Sequence, residues 1–173
     1  RNTDRMISTQ SGVTWGLEAK MTPKWSISIS EAAAKLDAEV SNGWVDENGQ
    51  THSYQNSNLS DAIAIVAASY DHVQRKKFGS QGMLSGFQFR SARAMLRGMY
   101  STGDKTLAVT AGTGSGKSYG FQIGSLIAIV EQRLSGTLNK THSIFLYPRV
   151  ALMDDQRNTM EELLETCNNK FLI

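Results

Sequence analysis

One stretch, Thr106 to Phe121, TLAVTAGTGSGKSYGF, leaves this chain few ways to fold around it. It opens with small and β-branched apolar residues, the composition of a strand buried on both faces. Glycines follow at 112, 114 and 116. They let the backbone curl so that successive N–H groups point into one concavity, a geometry that side chains with a Cβ resist. Lys117 and Ser118 then begin an apolar helix, whose N-terminus adds the positive end of its dipole. A strand, a glycine-rich bend and a helix in that order make a receptor for a multiply charged anion.

The spacing narrows the anion to a nucleoside triphosphate. The pattern G-x-x-x-x-G-K-[ST] between a strand and a helix is a P-loop. The window Ala111–Ser118, AGTGSGKS, matches it at Gly116, Lys117 and Ser118 and departs from it at Ala111, where the pattern has glycine. Gly112, Thr113, Gly114, Ser115 and Gly116 are expected to form the backbone cradle. Lys117 is expected to reach the β- and γ-phosphates as the catalytic cation, and the Ser118 hydroxyl to ligate Mg²⁺. A lone GKS would read as well as a turn; three glycines in register between a buried strand and an apolar helix favour phosphate.

From Met83 onward the chain reads as an α/β unit. A helix from Phe89, the strand Thr106–Ala111, a long helix from Lys117 to a stop at Gly136, a second strand near Ile144–Tyr147 and a last helix after Pro148 alternate with short connections. The last helix carries apolar residues at Leu152, Met160, Leu163 and Leu164. Such alternation predicts a parallel sheet flanked by helices, with strands 107–111 and 144–147 joined by a right-handed crossover.

Residues 1–82 differ in character and are expected to form a small α+β accessory segment, with 83–173 as the nucleotide-binding part. KWSISIS, Lys24 to Ser30, alternates like a half-buried strand, and Ser28 with Glu31 makes a capping box into EAAAKLDAEV. Asn48-Gly49 predicts a hairpin within Gly43–Gln55. A helix capped at Ser60 should then place Ile63, Val66, Ala67, Tyr70 and Val73 on one face and stop at Gly79.

The form of the P-loop carries a resemblance. Alanine followed by GTGSGKS is similar to motif I of the superfamily 2 helicases, the DEAD/DEAH-box and RecQ-like group. FLYPRVALMDDQ, Phe145 to Gln156, resembles that group's motif Ia, in the form seen in Lhr-like and bacterial defence-system helicases. The resemblance covers roughly residues 83–169 and implies a RecA-like fold, here truncated. It also implies ATP with Mg²⁺ as cofactors and ATP-dependent helicase or translocase activity on nucleic acid, with DNA favoured over RNA. Pro148, Arg149 and Gln156 would touch the sugar-phosphate backbone of one strand. Arg149, at a loop-to-helix junction, can bond a phosphate bidentately; Gln156 reads equally as a solvated surface residue. In this group a glutamine before motif I often reads adenine. Spacing puts Arg93 near that place and Gln88 a few residues too early, and Arg93 reads equally as an exposed helix residue.

Hydrolysis needs an acidic pair after a buried apolar strand. Asp46-Glu47 sits in the expected hairpin and Glu161-Glu162 inside a helix, so neither qualifies. The expectation is therefore the opening part of a first RecA-like domain, inactive by itself, whose DExH box and second RecA-like domain lie in a longer parent chain. The start at Arg1 rather than Met and the apolar end KFLI agree with it.

Composition adds little. A net charge of +2 is too mild to argue for nucleic acid. Cys167, the one cysteine, cannot form an internal disulfide, and His52, His72 and His142 lack ligand spacing. The longest apolar run, Ile123–Val130, is short of a membrane span and the polar N-terminus is no signal peptide, so a cytoplasmic protein without membrane association is expected. Arg75–Lys77 suits a helix C-terminus. The competing reading is a P-loop NTPase acting as a switch, transporter ATPase or kinase without strand separation. The accessory segment could also serve as a docking or DNA-binding module.

Overall fold

Ser28 ends a strand and opens a helix, as the capping box predicts. The computed structural model describes residues 6–8, 14–17, 25–54, 58–100, 116–137, 143–146 and 150–171. Strand β1 (Met6–Ser8) pairs antiparallel with β2 (Thr14–Leu17). Strand β3 (Trp25–Ser28) runs directly into helix α1 (Ile29–Asn42), where the Ser28 hydroxyl accepts from the Glu31 N–H at 3.2 Å. The helix stops at Gly43, φ 74°, where a Cβ would strike the His52 carbonyl. The hairpin follows as β4 (Trp44–Val45) and β5 (Thr51–His52). Its turn has Gly49 at φ 78°, and the Asp46 carboxylate accepts from the N–H groups of Asn48 and Gln50 at 2.9 and 2.8 Å.

Helix α2 (Leu59–Phe78) begins two residues earlier than the expected Ser60 cap allows, with Asn58 at the N-cap. Leu59 is fully buried, so the apolar stripe draws the helix start back to include it. Ile63, Val66, Tyr70 and Val73 are buried as expected, while Ala67 is half-buried. The helix ends at Gly79, φ 68°, after Arg75, Lys76 and Lys77 in the last turn.

Strand β6 (Met83–Ser85) returns to pair antiparallel with β3, setting Ile27 against Leu84 and Ser28 against Met83. Residues from both sides of position 82 thus share one ladder. They also share one core, in which Ile27, Leu36, Ile63 and Tyr70 are buried together with Leu84, Leu96, Leu126 and Leu163. Helices α3 (Gly86–Tyr100), α4 (Lys117–Leu134) and α5 (Val150–Thr166) complete the order, and α5 continues into a π-helical turn over Cys167–Phe171.

The mix of helix and strand agrees with an α/β chain, but the three sheets among the described residues are two-stranded and antiparallel. The expected strand at 106–111 lies outside the described residues. Of the strand expected at 144–147, residues 143–146 are described and hold no ladder; Ile144 and Leu146 are 78% and 90% exposed. An extended apolar segment becomes a strand only in a ladder with a neighbour, and the neighbour expected here, 107–111, lies outside the described residues.

Candidate nucleotide site at the start of α4

Gly116 is the N-cap of α4 and takes a left-handed conformation, φ 68° and ψ 32°, that favours glycine. Its carbonyl accepts from the Tyr119 N–H at 3.2 Å. Among the described residues no side chain caps this helix end and no carboxylate stands in its first turn. At the start of α1, by contrast, the Ser28 hydroxyl does the capping. The N-terminal amides and dipole of α4 favour negative charge at this end. Lys117 and Ser118 stand half-buried on this first turn. An ammonium, a hydroxyl and an uncapped helix N-terminus fit a phosphate chain with its divalent cation. Ala111 to Ser115, together with Pro148 and Arg149, lie outside the described residues.

The residue that holds Gly116 is Gln88, fully buried in the first turn of α3. Its Nε2 donates to the Gly116 carbonyl at 3.0 Å, and its Oε1 accepts from the Ser85 N–H at 2.8 Å. Both ends of the amide are thus used, which fixes its orientation. A Cβ on Gly116 would collide with that same Nε2. One turn on, a Cβ at Gly120 would lie 2.9 Å from the Ser91 Cβ, and at Gly124 2.9 Å from the Met95 sulfur. Glycines 116, 120 and 124 make a stripe along α4 that lets α3 come in close. Their four-residue spacing was a readable signal, absent from the expectations above.

Arg93, which spacing put near the adenine-reading place, is bonded to α1. Five residues beyond Gln88, it is turned by about 140° around the helix axis. Its Nε donates to Glu39 Oε2 of α1. Arg97, one turn further, donates from Nε and Nη2 to both Glu39 oxygens at 2.7 and 2.9 Å, and its guanidinium lies 5.0 Å from the Trp44 ring centroid. The Tyr54 hydroxyl also donates to Glu39, at 2.8 Å. Burial works against ionisation of Glu39, but the bonds from Arg97, Tyr54 and Arg93 outweigh it and hold the carboxyl below the usual range. Burial and the adjacent carboxylate push the Tyr54 hydroxyl up. The amide beside the cradle is Gln88, and Arg93 is an anchor between α3 and α1.

Gln156, expected on a nucleic-acid strand, is half-buried and turned toward α4. Its Oε1 accepts from Gln122 Nε2 at 3.0 Å. Gln122 is 1% exposed, and its own Oε1 has no hydrogen-bond partner among the described residues.

Residues 88–172 match the family model of the DEAD/DEAH box helicases. The match begins at the glutamine that holds Gly116 and takes in nearly all of α3 and the whole of α4 and α5. It spans just under half of the chain and leaves α1 and α2 outside it. No curated protein and no solved structure matches the chain. The helicase-like stretch is thus the one that contains the Gly116–Ser118 cradle end. Among the described residues no cluster of His, Cys, Asp and Glu could hold a metal by itself, and no helix is long and apolar enough to cross a membrane.

Proposed function

We propose that this chain carries the nucleotide-binding element, and the first strand-binding element, of an ATP-dependent superfamily 2 helicase or translocase. The observation that carries the reading is the start of α4 at Gly116–Ser118, without a side-chain cap among the described residues and held by Gln88 at the head of the helicase-like stretch. Lys117 would set its ammonium against the β- and γ-phosphates of ATP, and Ser118 would ligate Mg²⁺. When bound, the Mg²⁺ neutralises phosphate charge and orients the chain. Gly112 to Ser115 would supply the remaining backbone donors.

The finer assignments rest on sequence. YPRVALMDDQ favours an Lhr-like or defence-system enzyme, DNA over RNA, and Pro148 and Arg149 as the backbone contacts. The sequence after the P-loop holds no acidic pair of the required kind, so this chain should bind nucleotide without steady turnover, and the parent enzyme should work in the cytoplasm. Residues 1–82 serve as an accessory segment built onto the motor part. The turn of Gln156 toward Gln122 favours a second reading, a P-loop switch, transporter ATPase or kinase with no strand to hold.

Two titrations separate these readings. A fluorescent ATP analogue with Mg²⁺ should bind the chain, and Lys117→Ala should weaken it by roughly ten- to a hundredfold, as expected for losing a charge-assisted bond. Labelled single strands should bind with a salt dependence that Arg149→Ala flattens by about one log–log unit, equally for unrelated sequences. Nucleotide binding that ignores Lys117→Ala would sink the site. Nucleotide binding with no strand binding would leave the second reading.

A further inference from the structure

Ser118 and Gln122 are four residues apart on α4 and so share a face, the glutamine lying one turn beyond the serine assigned to the cation. From that position Gln122 Nε2 reaches across to Gln156 Oε1 on α5 at 3.0 Å. Among the described residues α5 also pairs with α2, where Lys76 and Lys77 meet Glu162. The Gln122 amide is therefore a polar link between the helix proposed to begin at the phosphates and the helix proposed to follow the strand-binding loop.

That amide is also half satisfied. It is 1% exposed, and among the described residues its Oε1 has no partner. A buried amide with one end unbonded is costly, and native interiors retain few of them. Such a group is relieved by any rearrangement that brings a donor to its oxygen. Gln156 is itself oriented at both ends, since while its Oε1 accepts from Gln122 its Nε2 donates to Asp155 at 3.3 Å on the exposed side of α5. The pair holds α5 against α4 through one bond, and the unbonded oxygen beside it favours a shift of either helix that supplies a donor.

We propose that Gln122 is a positioning residue that, through Gln156, couples nucleotide occupancy at the start of α4 to the grip of α5 on a nucleic-acid strand. The proposal rests on the reading in the preceding section and adds a linkage between its two sites. Coupling between sites is a measurable factor and is reciprocal.

The test uses Gln122→Leu and Gln156→Leu, near-isosteric changes that each break the bond from one side, and the double variant, which removes both partners at once. Affinity for a fluorescent ATP analogue with Mg²⁺ is measured with and without saturating oligothymidylate and, in parallel, oligouridylate, alongside thermal melting. In the wild type a strand should shift nucleotide affinity by about fivefold or more. Either leucine variant should bring that factor close to one, and the double variant should add nothing further. Gln122→Leu should also keep its strand-free nucleotide affinity within about twofold of wild type, with its melting temperature not lowered. A merely structural glutamine would change melting and leave the factor alone, which would overturn the proposal. So would a wild type that binds both ligands with a factor of one. A wild type that binds no nucleotide would instead overturn the underlying reading. If Gln122→Leu fails to fold, Gln156→Leu, at a half-buried position, decides the matter.

Discussion

Gln88 shows how one side chain can serve fold and site together. It takes the Ser85 N–H with its oxygen and gives its amide hydrogen to the Gly116 carbonyl, so the end of β6, the start of α3 and the start of α4 are held at one point. Gln88→Ala should lower stability by about 1–3 kcal/mol, the usual cost of leaving buried groups unbonded, read from urea unfolding. It should also weaken nucleotide binding, because Gly116 loses the donor that fixes its carbonyl. Unchanged affinity in a destabilised variant would show that the bond serves packing alone. The start of α4 at Lys117 was legible from its place after the glycines. Gln88 was not, because spacing along the chain does not say where a helix begins, and α3 starts at Gly86 rather than near Phe89.

At the scale of elements, the close approach of α3 and α4 is set by what α4 lacks. A methyl at Gly120 would meet Ser91 Cβ at 2.9 Å, and that carbon is tied to the α3 backbone and cannot swing aside. Alanine in place of a helical glycine ordinarily gains about 1 kcal/mol. Here the clash should win, with Gly120→Ala destabilising by roughly 1–3 kcal/mol. Ser91→Gly combined with it should recover part of the loss, so the double variant should melt higher than the sum of the single effects predicts. Strict additivity would mean that the helices separate freely. The apolar pattern of the long helix was readable, and so was its stop, with Gly136 at φ 67°. The glycine stripe passed for ordinary small residues because its meaning depends on which helix lies across it.

At the scale of the whole molecule, the described elements are joined by polar anchors as well as by the core. Glu39 binds α1 to α3 through Arg93 and Arg97 and to the segment after β5 through Tyr54. Its folded pKa lies below its ordinary value of 4.5. Its stabilisation is therefore fully present above that value and lost as the pH falls through the lowered folded value. Glu39→Gln should flatten this acid limb of the stability curve. At neutral pH it should cost about 2–3 kcal/mol, below the figure for a fully buried pair because both arginines are partly exposed. An acid limb as steep as in the wild type would move the effect to the other lowered carboxyls, Asp46 and Asp71.

Local signals settled what is local. The Ser28 cap, the turn at Asn48-Gly49, the stop at Gly79 and the start of α4 after Gly116 each depend on a few adjacent residues whose conformational limits are written in the sequence. Tertiary structure decided the partners. The alternation in KWSISIS marks a strand without saying that residues 83–85 pair with it. The hydrophobicity of FLYP suggests a strand without naming its neighbour, and the neighbour expected for it, 107–111, lies outside the described residues. Arg93, Gln88 and Gln156 were all read as reaching outward or left unassigned. Each instead bonds a residue far away in the chain, because a buried polar group must find its partner wherever packing delivers one, and sequence spacing carries no record of that distance.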